Sequence, residues 1–171
     1  MSTTVPGWQE VAATLVAERG DALLRYAYLL CGSREDAADL VQDALVRTFG
    51  RARGDLSAAA AEAYVRRAIL NGFLDGTRRA SRWRSIRHLA ATGDETAGPG
   101  DERLDVQHQL RRLSPRERAC VVLRYWEDLP VDGIAERLGI SPGTVKRYLS
   151  DAHVKLAHAL GPSPSTLDRR P

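Results

Sequence analysis

Apolar residues recur along the chain at steps of three and four, the spacing of one helix face. Val11 and Leu15, with Trp8 before them, mark a first helix in GWQEVAATLVAERG, which Gly20 is expected to interrupt. A second helix opens near Asp21 and carries Leu23, Leu24, Tyr26, Ala27, Leu30 and Cys31 as far as Gly32. Ser33 caps a third, SREDAADLVQDALVRTFGR, whose acidic first turn suits the positive end of a helix dipole. Its core face is Ala37, Leu40, Val41, Ala44, Leu45 and Thr48 or Phe49, so Asp39, Gln42, Asp43 and Val46 lie largely elsewhere.

After a break at Gly54 and Asp55, a long fourth helix carries Tyr64, Ala68, Ile69 and Phe73 as its apolar stripe, with Gly72 and Gly76 weakening it locally. ATGDETAGPGDE then has the composition of a flexible linker. A short helix from about Leu104 ends before Ser114 and Pro115, which cap and start the next. That helix places Ala119, Val122, Leu123 and Trp126 on a buried stripe. The tail GPSPSTLDRRP is Pro- and Ser-rich and expected to be disordered. The pattern predicts an all-α protein of two small helical domains, residues 1–90 and 107–161, joined by a flexible acidic linker at 91–106 and followed by a tail at 162–171.

Within the second domain, IAERLGISPGTVKRYLSDAHVKL has the layout of a helix-turn-helix. Ile134 and Leu138 lie one turn apart, Ala135 lets a second helix cross closely, and Gly139 reverses the chain in a left-handed conformation. Ile140 plugs the corner, Ser141 caps the second helix and Pro142 opens it. Val145, Leu149, Ala152 and Leu156 form its inward stripe, leaving Thr144, Lys146, Arg147 and Tyr148 to point outward, where a recognition helix meets base edges and phosphates.

Charge sharpens this. The net charge of the 171 residues is only +3, but Arg66, Arg67, Arg78, Arg79, Arg82, Arg84 and Arg87 form a basic block against Glu62 and Asp75 alone. Asp94, Glu95, Asp101, Glu102 and Asp105 follow it with a single Arg103. A polyanion is a fitting partner for the basic block. Cys31 and Cys120 read as small core residues, and neither they nor the scattered His88, His108, His153 and His158 have metal-site spacing, so no metal or cofactor is expected. The N-terminus lacks the layout of a signal peptide and no apolar run reaches membrane-spanning length, so a cytoplasmic protein without membrane insertion is expected. No nucleophile-base constellation or phosphate-cradling glycine loop points to an enzyme.

The helix-turn-helix alone does not choose between a free-standing regulator and a polymerase subunit. The first half does: DLVQDALVRTF followed by AYVRRAILNGFLDGTRRASRWR resembles conserved region two of bacterial sigma factors, and the segment from Leu113 onward resembles their region four. With no segment like the intervening region three, the chain is similar to the small extracytoplasmic-function group of the sigma-70 family, and LLRYAYLLCGSREDAADLVQDALVRTF and VVLRYWEDLP resemble its actinobacterial SigE-like branch.

The resemblance implies a subunit that binds core RNA polymerase, recognises the −10 and −35 promoter elements and helps open the duplex. It implies that Asp39, Leu40, Gln42, Asp43 and Leu45 dock on the clamp helices of the largest polymerase subunit. Asn71, Asp75, Arg78, Arg79, Arg82 and Trp83 would handle the −10 element, the arginines holding phosphates and the aromatic stacking on an exposed base. Ser141, Thr144, Lys146, Arg147 and Tyr148 would serve the −35 element, with Arg124 on a phosphate. An anti-sigma partner is implied as well. Two positions depart from the family: Gly133, where Glu is common, and Asp151, where Arg is usual. The alternative is a LuxR-type regulator, whose DNA-binding domain LSPRERACVVLRYWEDLPVDGIAERLGISPGTVK also resembles; one extra residue between Pro115 and Ile134 argues against it, as do the first ninety or so residues, which resemble a polymerase-docking and strand-melting unit and not that family's usual sensory domain.

Overall fold

A computed structural model describes the backbone of residues 7–50, 57–86 and 102–160, and the side chains of 7–50, 57–82 and 106–158. Its described residues form helices α1 (Trp8–Cys31), α2 (Arg34–Phe49), α3 (Ala58–Ile86), α4 (Glu102–Arg111), α5 (Pro115–Tyr125), α6 (Val131–Leu138) and α7 (Pro142–Leu160), with no strand among them. Contacts divide the chain into two units, residues 1–96 and 97–171. The tail and most of the expected linker lie outside the described residues, and residues 102–106, read as linker above, belong to α4.

In the first unit α1, α2 and α3 each pack on the other two. Leu15, Leu23, Tyr26, Leu30, Val65, Ile69 and Leu70 are fully or almost fully buried at their centre. Each large side chain so buried contributes about 2 kcal/mol against the entropy of ordering the chain. The expected break at Gly20 does not occur: α1 runs through it. A glycine within a helix costs about 1 kcal/mol relative to alanine. Burial of Leu15 before it and Leu23 and Tyr26 after it outweighs that cost. The helix ends instead at Gly32, whose φ of 77° only glycine adopts readily and whose N–H donates to the Tyr28 carbonyl. Ser33 then caps α2, its Oγ accepting from the Asp36 N–H at 3.3 Å.

Two aromatics expected inside this unit are outside. Trp8 is exposed at the start of α1, and Tyr64 is 58% exposed. The buried face of α3 is Ala61, Val65, Ile69, Leu70, Phe73 and Leu74, turned by one position from the stripe that Tyr64 and Ala68 predict. Glu62 ties α1 to α3 by accepting from Arg19 Nε at 3.0 Å and from Arg66 Nη2 at 2.9 Å. The Arg19 hydrogen bond, aided by Arg66, holds its carboxyl below the usual range despite partial burial.

In the second unit α7 packs on α4, α5 and α6. Ser114 and Glu117 form a capping box at the start of α5, followed by Pro115 as its first residue. Arg118 closes the end of α4, donating from Nε to the Leu110 carbonyl at 2.8 Å and from Nη2 to that of Arg111 at 3.1 Å. The core collects Leu113, Ala119, Cys120, Val122, Leu123, Ile134, Val145, Leu149 and Ala152. Burial pushes the Cys120 thiol up to about 11, so it stays protonated. Trp126, expected on the buried stripe, is 45% exposed because α5 ends at Tyr125 and the chain turns away.

Candidate nucleic-acid interface

The turn between α6 and α7 is built by backbone bonds. Gly139 has φ 62°, its N–H reaching the Glu136 carbonyl at 3.3 Å, and the Ile140 N–H donates to Ala135 at 3.0 Å. Ser141 Oγ accepts from the Thr144 N–H at 3.2 Å and lies 2.9 Å from Thr144 Oγ1. With that cap fixed, the buried Val145, Leu149 and Ala152 set the rotation of α7.

At about 100° per residue, that rotation gathers Thr144, Arg147 and Tyr148 on the outward face, with Asp151 at its middle. Thr144 and Tyr148 are half-buried, whereas Arg147 and Asp151 are exposed. The Arg147 guanidinium stands over the Tyr148 ring, 5.5 Å from its centroid. Lys146 is exposed but turned away from this face. Arg124 is half-buried and donates from Nη1 to the Leu129 carbonyl at 3.0 Å, bracing the turn after α5 that Asp128 makes with φ 51°. Gly133 has room for a side chain: an added Cβ would stand 3.4 Å from Pro130 Cδ, an ordinary contact.

On α3, Asn71, Asp75, Arg78 and Arg82 are exposed and follow one another at steps of three and four along a single stripe. Tyr64 and Arg67, both exposed, continue it toward the N-terminus, an extension that the burial of Val65 and Ile69 reveals and that sequence reasoning missed. Arg78 Nη1 lies 3.8 Å from Asp75 Oδ1, with both side chains more than half exposed, so this pair contributes little to stability. Arg79 is exposed to one side of the stripe. Trp83 belongs to α3, but its side chain lies outside the described set.

On α2, Asp39, Gln42 and Asp43 are exposed together. Leu40 and Leu45 are half-buried and do not share their face: Leu40 turns toward α3, its Cδ2 being 3.2 Å from where a Gly72 Cβ would stand. About one turn beyond Gln42 and Asp43 on the same side sits Val46, 65% exposed, which the hydrophobic pattern places off the core face. No group of three or more His, Cys, Asp or Glu residues that could hold a metal gathers among the described residues. No helix among them is long and apolar enough to cross a membrane.

Two family models match the chain, Sigma-70 region 2 over residues 15–83 and Sigma-70, region 4 over residues 103–156. The chain is 39% identical to the RNA polymerase sigma-E factor of Streptomyces avermitilis over 155 residues, covering 85% of this chain and 82% of that protein. It is 37% identical to the protein of the same name from Streptomyces coelicolor, covering 85% and 83%. A solved structure, the sigma factor RpoE in complex with the anti-sigma factor NepR from Bartonella quintana, matches with a TM-score of 0.62 at 22% identity, covering 92% of this chain and 98% of that one. The region 2 match runs from within α1 through α2 and most of α3, a unit that a LuxR-type regulator would lack. The chain is also 32% identical to the ECF RNA polymerase sigma factor SigM of Mycobacterium tuberculosis, covering 81% of this chain and 71% of that protein. The chain belongs to the sigma-70 family of RNA polymerase sigma factors, within its extracytoplasmic-function group.

Proposed function

We propose that this sigma factor works as a two-anchor adaptor, and we assign the anchors residue by residue. The exposed face of α2, Asp39, Gln42 and Asp43 with Val46 at its C-terminal end, docks on the clamp helices of core RNA polymerase, where acids meet a basic coiled coil and the valine supplies an apolar contact. Leu40 and Leu45 support that face from beneath. The α3 stripe of Asn71, Asp75, Arg78 and Arg82, flanked by Arg79 and Trp83, captures the −10 element. Opening draws on tighter binding of the single strand than of the duplex, and the chain needs no catalytic group of its own.

The helix-turn-helix enters the major groove of the −35 element. Thr144, Arg147 and Tyr148 face the bases, and Ser141 and Lys146 lie toward the flanking phosphates. Arg124, held by Leu129, sets the turn beside α5 and offers its positive charge to the backbone. The single observation that carries this reading is the coincidence of two exposed, oppositely charged faces in one three-helix unit: acidic on α2 and basic on α3.

The protein acts in the cytoplasm with polymerase and promoter DNA as partners. An anti-sigma factor would hold it inactive by covering these surfaces; the fold it shares with the Bartonella quintana chain, solved with such a partner, supports that reading. The test is run-off transcription by purified core polymerase on promoters of the same genome, with and without the protein. Specific initiation only in its presence is expected. DNA binding by the isolated chain without core association would instead favour the LuxR-type regulator.

A further inference from the structure

We infer that Asp151 is a specificity-determining residue of the −35 reading, accepting a hydrogen bond from the exocyclic amine of a cytosine in the major groove. The inference rests on the assignment of α7 as the recognition helix. Asp151 lies between Arg147 and Tyr148 in the rotation of α7, one turn beyond each, on the side opposite the buried Val145, Leu149 and Ala152. It is exposed, and no hydrogen bond or ion pair to its carboxylate occurs among the described residues.

Both cations that could neutralise it from one turn away are drawn elsewhere. Arg147 lies over the Tyr148 ring at 5.5 Å, and Lys155 Nζ is held by Glu117 at 2.7 and 2.8 Å. The carboxylate oxygens are therefore left without a protein partner on the face assigned to DNA. An ionised carboxylate can only accept, so phosphates repel it and guanine O6 and N7 offer it nothing. The major-groove donors are amines, and cytosine N4 is the one that lacks a neighbouring ring acceptor to repel the second carboxylate oxygen.

Holoenzyme reconstituted from the full chain and core polymerase is challenged with promoter duplexes randomised through the −35 region. Wild type is expected to select cytosine at one position. Asp151→Ala is expected to lose roughly fivefold or more of that preference while keeping the rest of the selected motif. Asp151→Asn, which adds a donor, is expected to move the preference at that position toward adenine. A motif unchanged in both variants overturns the assignment. So does a uniform tightening on every sequence, which would make Asp151 a mere repulsion from the backbone. If wild type selects no −35 sequence, the reading of α7 as a recognition helix fails first and Asp151 falls with it.

Discussion

Lys155 Nζ lies 2.7 Å from Glu117 Oε1 and 2.8 Å from its Oε2, joining α7 to the capped first turn of α5. The same carboxylate accepts from the Ser114 N–H at 2.8 Å, so one nearly buried acid serves the capping box and α7 together. Burial alone would raise its pKa. The Lys155 hydrogen bond and charge, with the two bonds to Ser114, outweigh burial and leave the carboxyl below its ordinary value.

Because the folded value lies below the unfolded one, Glu117 contributes stability that is fully present above the unfolded pKa of about 4.3. That contribution is lost as pH falls through the folded value. Amide protection factors in α5 and α7, corrected for the intrinsic pH dependence of exchange, should fall below about pH 4.3 in wild type, and Glu117→Gln should flatten this part of the profile. At neutral pH the substitution should cost about 1–2 kcal/mol, since Lys155 is half exposed and recovers water. An unchanged acid profile in Glu117→Gln would show that other carboxylates set the dependence.

Two glycines of the helix-turn-helix should respond with opposite signs to alanine. Gly133 sits in the first turn of α6, where an added Cβ meets only an ordinary contact with Pro130. Pro130 at the cap has no N–H, so a glutamate at 133 would have no reciprocal capping bond to make there. Gly133→Ala should therefore stabilise the second unit by about 0.5–1 kcal/mol. Gly139→Ala should destabilise it by about 1 kcal/mol, because φ is 62° even though the space beside it is open. Thermal melts of the two variants should move in opposite directions.

The helical spacing in the sequence carried the helix-turn-helix nearly whole, because Ser141, Gly139 and Ile134 act through local geometry. It carried α1 and α3 less well. Gly20 is a breaker by local propensity, but the packing of Leu15 and Leu23 across it is tertiary and overrides that cost. Tyr64 and Val65 are adjacent, and both phases of the helix offer an apolar stripe. Only contact with α1 and α2 selects Val65, Ile69 and Phe73, leaving Tyr64 outside. The same rotation decides which site residues share a face, so Leu40 and Arg79 read like their neighbours in sequence and stand apart from them in space.

Val46 is the residue that this rotation adds to the face proposed to dock on polymerase. Its exposure of 65% means that Val46→Ser should leave the melting temperature nearly unchanged. It should weaken core binding about fivefold, the loss of about 1 kcal/mol of apolar contact, at low and high salt alike. Asp43→Asn should also weaken binding, but by less as salt rises, because the contact is between charges. Leu40→Ser should instead lower stability, since that side chain packs toward Gly72. A titration of core polymerase by fluorescence anisotropy at two salt concentrations separates the three. Wild-type affinity in Val46→Ser would remove it from the interface.

On α3 the stripe orders the arginines. Arg78 and Arg82 share a face with Asn71 and Asp75, whereas Arg79 stands to one side. Arg78→Ala combined with Arg82→Ala should reduce promoter opening by about tenfold or more, and lower the salt dependence of promoter binding by about one unit of slope per arginine removed. Core binding, proposed above to use α2, should be unchanged. Arg79→Ala alone should impair opening less than either of the other single substitutions, because Arg79 stands to one side of the stripe proposed to hold the strand. Permanganate reactivity of thymines in the bubble, read with equal holoenzyme occupancy, measures opening apart from binding. Equal losses in all three single variants would mean that the strand runs across the helix and not along it, and the stripe would then have no part in choosing which phosphates are held.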